Sequence, residues 1–403
     1  MATASPSLQI PKKVPKWSHE LAATYFVNSV AICHDGSRVV AATYYYPYQG
    51  ATNFNTRGIF GTYCYDAAGN RLWLDEFTGE EGVYAVAISG DGKIAAAGGL
   101  YSGGKYSIKR DQALLRVYDA TKSDPTKNNA PLLDYEGIKS RVNSVALSND
   151  GAVVAAVAAN QLYVFCRNAG RFPSAPAIPV NAGPTLQLRS VAIHPSGEWL
   201  AACDDGGNVY LITIANGAVQ KIYKWTDPNK VPFLSVAISK TSQSFVVGGG
   251  DIVYLFTKDS MISGRVPAPV AQCDTPAGGT TQDVRWVAIS DDGTFVTAVQ
   301  NKGMDQAGLL LAFDFDQGQL TLKRNIPLPH NPNSTSMDLS GKHITAGDGH
   351  PLGTPGTFHL FDHDGVAQWD CPTPNMNWPM VISADGTAIA GGSDNGRVYY
   401  FVP

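Results

Sequence analysis

An all-β chain built from eight copies of one short unit is what this sequence predicts, and three observations carry it. A phrase of the form V-x-x-V-A-I-S, complete in VYAVAISGDGKIAAAGG over 83–99, recurs along the 403 residues. Its copies follow one another at intervals of roughly 43 to 59 residues, the period of propeller blades. Each copy alternates with period two, and nowhere does a 3.6-residue period persist for three turns. The expected fold is therefore one β-propeller domain over 1–403, of eight four-stranded antiparallel blades, with seven blades as the alternative.

With the central Val as marker, the copies fall at Val30, Val86, Val145, Val191, Val236 and Val287. Two degenerate copies are placed at Met337 (STSMDLSG) and Met380 (NWPMVISADG). The units then begin near 27, 83, 142, 188, 233, 284, 334 and 377. In each unit the marker strand comes first. An Asp-Gly pair or its equivalent follows, a turn that tolerates positive φ. A small-residue strand is next (KIAAAGG, VVAAVAA, WLAACDD), then an aromatic one (LLRVYDA, NVYLITI, TFHLFD), then a weaker fourth (NRLWLDEF, VQKIYKW, VAQWD).

The order from small to large has a physical cause. Blades are wedges around an axis, so inner strands meet closely while outer strands need aromatic bulk to reach native packing density. The Ala after each marker (Ala31, Ala87, Ala146, Ala192, Ala237, Ala288) is expected to be the tightest point, and Asp338 is read as standing in its place in unit 7. After Met380 the chain has length for three strands only. Residues 1–29 hold no blade of their own, and VPKWSHELA resembles a fourth strand. The N-terminal strand is expected to close the last blade.

Composition excludes some classes. The chain is 44% hydrophobic and 16% charged, enough apolar material for a core and too little charge for a disordered chain. A net charge of −4 argues against a nucleic-acid partner. No apolar run is long enough to span a membrane. MATASPSLQIPKKVPKW lacks an apolar signal core, so the sequence as it stands reads as cytoplasmic, with export open if a signal was removed. Six Cys without a CxxC pair read as free thiols, with Cys33, Cys64, Cys166 and Cys203 in strands. A monomer is expected.

VNSVALSNDGAVVAAV (142–157) resembles the first half of a WD40-type repeat, and YCYDAAGNRLW (63–73) is similar to the quinoprotein propeller repeat. The resemblance covers nearly the whole chain and implies a propeller at the superfamily level. The tryptophan-docking set of quinoproteins is missing from most units, so neither pyrroloquinoline quinone nor any other cofactor is expected.

A propeller keeps its ligands at the channel mouth, on the face that carries the loops between second and third strands. Those loops are long in units 1, 2, 6 and 7 and read as two raised walls. The first two bring Tyr44, Tyr45, Tyr46, Tyr101, Tyr106 and Arg110; exposed aromatics with Arg mark binding surfaces, and packing of the loops onto the scaffold is the plain alternative. The residue two before each marker should rim the mouth: Asn28, Tyr84, Asn143, Arg189, Leu234, Arg285, Thr335 and Trp378. Arg189 and Arg285 suit an anionic ligand or pair with loop carboxylates. His330, His350 and Asp348 are the only candidates for a metal site, and none is assigned. GxSxG, HExxH, Walker A and a strand-borne GxGxxG are absent from the sequence. The leading reading is a non-catalytic scaffold for a protein, peptide or glycan. The alternative is an enzyme with a small molecule at the channel mouth, drawing on Arg189, Arg285, His330, His350, Asp338 and tyrosines.

Overall fold

The computed structural model describes residues 10–21, 26–45, 58–79, 81–102, 112–264, 266–276, 283–302, 307–350 and 355–403, with the side chains of Tyr101 and Ser102 left aside. Among them lie six four-stranded antiparallel sheets and one of eight strands. The eight-stranded sheet is two four-stranded runs joined by a single pairing, Tyr44 with Gly82. Taken as two units, it yields eight first strands: Phe26–Ile32, Gly82–Ile88, Val142–Leu147, Leu188–Ile193, Ser235–Ile238, Asp283–Ile289, Pro332–Met337 and Asn377–Ile382. Each touches the next, and the last returns to the first, so they close a ring. The one described helix is the short Lys258–Ile262, capped by Thr257.

The hydrophobic core is a set of slabs between units. Marker and Ala point to opposite neighbours. Val86 packs with Val40, Ala42 and Trp73 of unit 1, whereas Ala87 leans on the slab shared with unit 3. The same exchange recurs at Val145 and Ala146, and at Val191 and Ala192. On the third and fourth strands the slabs fill with Trp73, Tyr118 and Phe256, and Trp199 and Phe245 add bulk at the start of two second strands. The marker-following alanines are only half-buried, because they sit beside the channel. The tightest wedge is instead on the second strand: a Cβ on Gly98 would overlap Val142 and Val145 of the next unit, and one on Gly248 would overlap Val284 and Val287.

The N-terminal strand Trp17–Glu20 pairs antiparallel with the third strand of unit 8, Arg397–Phe401. Trp17 stacks on Tyr400 at 5.0 Å and lies 5.6 Å from Tyr65 of unit 1. The seam between the ends of the chain is thus packed as the other seams are. Residues just before the strand bond to unit 7, through Lys13 N–H to the Asp370 carbonyl at 2.8 Å.

The turn after each first strand is cast from one mould. Ser89 Oγ donates to Asp91 and accepts the Ile94 N–H at 3.0 Å, and Ser148, Ser290 and Ser383 repeat this. Cys33 takes the serine's place in unit 1: it lies in the turn, just past its strand, with Sγ 3.0 Å from Asp35. Described cysteines are all free.

Unit 7 requires a correction. Its marker position is held by Thr335, which pairs with Ala346 as Val86 pairs with Ala97 and Val145 with Ala156. Met337 is two residues too far along. Asp338 therefore stands at the turn serine, with Ser336 at the alanine position. Asp338 accepts from Ser340 Oγ, Lys342 N–H and His343 N–H, so Asp-x-Ser does the work that Ser-x-Asp does elsewhere. The buried carboxylate is fully occupied by its own turn, and the channel has no part in it.

Candidate functional site at the channel mouth

The first strand leaves one backbone edge toward the channel, where N–H groups lack a neighbouring strand. The Ser before the marker caps that edge across units. Ser29 Oγ accepts the Val86 N–H at 2.8 Å, Ser235 the Val287 N–H at 3.2 Å, and Ser334 the Met380 N–H at 3.0 Å; Ser144 and Ser190 do the same more loosely. Units 2, 6 and 8 carry Ala85, Trp286 and Pro379 at this position. The last two exchange a clamp for lining.

One residue earlier, a register shift interrupts the ladder. It brackets Tyr84, Asn143, Arg189, Arg285 and Asn333, with Asn28 and Trp378 inside two-residue shifts. Such bulges re-aim side chains. Asn28, Tyr84, Asn143 and Trp378 turn into a cavity of about 420 Å³ at the channel mouth, lined by first strands of seven units. Arg141 and Trp286 join them there. Trp286 is 41% exposed. The lining joins aliphatic residues of the first strands to aromatic, amide and hydroxyl side chains and one guanidinium. Asn28 Oδ1 and Trp378 Nε1, in adjacent units, are buried without a hydrogen-bond partner among the described residues.

Arg141 is fixed in place. Its guanidinium lies 4.2 Å from the Tyr84 ring centroid and bonds Glu81 at 3.0 Å. Tyr84 Oη donates to the same carboxylate at 2.8 Å. Across the mouth, burial pushes the Asp283 carboxyl upward, with the Arg285 charge opposing the shift.

The other expected residues scatter. Arg189 bonds Asp205 at 2.9 Å and does not line the cavity. Arg285 is exposed beside Trp286. Thr335, being the true marker of unit 7, is buried, and Asn333 takes the rim position, bonding the Asn377 carbonyl at 2.8 Å. Tyr44 is buried against Phe26 and Tyr84, which is the packing role, and Tyr45 stacks near Phe26. Tyr101 lies in its strand with an undescribed side chain. Tyr46, Tyr106, Arg110 and most of the four long loops fall outside the described residues.

Asp348 is buried and committed: Oδ1 accepts from Thr357 N–H, and Oδ2 from His330 N–H and His359 Nε2. His330 thus offers its backbone here rather than its ring. His350 follows Asp348 by two residues at the head of the loop. No group of three His, Cys, Asp or Glu able to hold a metal occurs among the described residues. Sequence reasoning overlooked Arg141 and Trp286. The signal for Trp286 was present: VRWVAIS carries Trp where five units carry Ser.

A model of the WD domain, G-beta repeat matches residues 179–212, which contain the first and second strands of unit 4. No curated protein matches the chain. Among solved structures, Sqt1 of Chaetomium thermophilum bound to the N-terminus of the ribosomal protein L10 is similar, at 15% identity and a TM-score of 0.68, over 96% of this chain and 100% of that one. The Dos1 propeller matches at 12% identity and 0.67, over 96% and 95%. The RRP9 WD40 repeats match at 15% identity and 0.57, over 91% and 99%. These likenesses establish the fold.

Proposed function

We propose that this chain, a WD40-like β-propeller, is a non-catalytic protein-binding scaffold that receives an extended peptide segment at its channel mouth. The cup around Trp286 and Trp378 carries the reading: an open concave surface of aromatic, amide and aliphatic side chains drawn from seven units. Trp, Tyr and Arg at the centre of a concave surface are the residues that dominate interface energies. The Sqt1 structure holding a protein N-terminus lends support by analogy of fold. The catalytic alternative has less to stand on, since Arg189 is paired with Asp205 and Asp338 lies in a turn at the far end of its strand.

The test is selection of peptides from a displayed random library, followed by fluorescence anisotropy on the winners. Trp286→Ala and Trp378→Ala should each weaken binding about tenfold or more, with little change in Tm. Peptides that bind equally well to both variants, or a library that yields no binder, would defeat the proposal.

A further inference from the structure

The cavity at the channel mouth has a rim and a floor of different chemistry. Tyr84 and Trp378 stand at the rim, whereas the markers Val30, Val86, Val145, Val191, Val236 and Val287 line the depth below it. A marker lies two residues further along its strand than the rim position, a descent of roughly 6–7 Å. Ala237 and Val381, one step past their markers, are the deepest lining. That depth accommodates one side chain and no folded element. On the premise that a peptide segment docks here, we infer that its specificity is set by one uncharged apolar side chain, of the size of Leu, Met or Phe, lowered into the channel between the marker valines.

The floor suits charge of neither sign. No carboxylate is among the described residues that line the cavity, so a Lys or Arg side chain would leave water without meeting a counter-charge. The Tyr84 face, where a cation could rest, already lies under the Arg141 guanidinium at 4.2 Å, and that standing charge repels a second cation. An acidic side chain fares no better. Arg141 is paired with Glu81 at 3.0 Å, and backbone N–H groups that face the channel are taken. Val86, Val191, Val236 and Val287 give theirs to Ser29, Ser144, Ser190 and Ser235 of the preceding unit. The serine oxygens that line the cavity are engaged in these same bonds. Below the rim the surface left to a guest is hydrocarbon: the edges of the marker valines, Ala85 and Ala237, with the Trp286 indole, 41% exposed, rising at one side. Such a floor rewards removal of apolar surface from water and little else.

The experiment is a pair of selections from displayed peptide libraries against the full chain, one fully random and one whose random positions omit Leu, Ile, Val, Met, Phe, Tyr and Trp. The first should yield peptides whose binding Trp378→Ala weakens; the second should yield none. In each such peptide one apolar position should lose affinity about tenfold or more on replacement by Ala, and more again on replacement by Lys or Glu, as read by fluorescence anisotropy. A photoreactive leucine at that position should cross-link to the first strands within 28–30, 84–86, 143–145, 190–191, 235–237, 286–287 or 378–381. Peptides that Trp378→Ala weakens but that have no such position, that tolerate Lys or Glu there, or whose cross-links fall outside these segments would overturn the inference and leave docking at the mouth standing. A fully random library without a binder sensitive to Trp378→Ala would overturn both.

Discussion

Two buried ionisable side chains in unit 7, His359 and Asp338, show how single residues are held and what releasing them should do. His359 lies between two carboxylates, with Nδ1 2.7 Å from Asp370 and Nε2 3.1 Å from Asp348. Burial alone would discharge the ring. The hydrogen bonds and charges of Asp348 and Asp370 outweigh it and raise His359 to about 9. A raised pKa means that the folded state binds the proton more tightly than the unfolded chain. The stabilisation should be complete below pH 6.5 and fade as pH rises through about 9. Urea denaturation between pH 6 and 10 should show this decline, and His359→Gln should flatten it. Asp338 offers a milder test. Asp338→Ala strips acceptors from two backbone N–H groups and should cost about 1–3 kcal/mol. Asp338→Ser restores the acceptor used in other units and should recover most of the loss, as read by Tm.

At the scale of elements, the inter-unit seam decides stability. Gly98→Val drives methyl groups into Val142 and Val145 and should cost roughly 1–3 kcal/mol, measured by chemical denaturation. Ala87→Val, whose site is half open to the channel, should cost less. The contrast reverses the ranking that the repeat pattern suggests, and the reason is physical. Periodicity reports which face of a strand turns to which neighbour, and it did so correctly for Val86 and Ala87. It does not report whether that face is closed by protein or opens on a channel. Unit 7 teaches the same lesson. Anchoring on hydrophobicity chose Met337, whereas the glycine of the turn, Gly341, fixes the register through Thr335. The rim positions of Asn28, Tyr84, Asn143 and Trp378 were legible because a bulge recurs at one place in the repeat. For Arg189 the paired alternative holds, through the loop carboxylate of Asp205, although no local pattern named that partner.

For the whole molecule, the ring depends on its clasp. The N-terminal strand gives unit 8 its fourth strand and plugs aromatic surface of unit 1 through Trp17 and His19. Deleting residues 1–21 should leave Tyr400 and Tyr65 uncovered and open the one seam the chain does not cross covalently. Calorimetry should then show a Tm lower by roughly 5 °C or more and a broader transition. An experimental structure should count eight first strands around the axis. Because the two ends already lie side by side, with Glu20 3.2 Å from Arg397, the order in which the units are strung together is nearly arbitrary. A circular permutant that links residue 403 to residue 10 and begins at the exposed Asn216-Gly217 hairpin, where a Cβ added to Gly217 would meet nothing within 4 Å, should fold to the same ring with a new beginning.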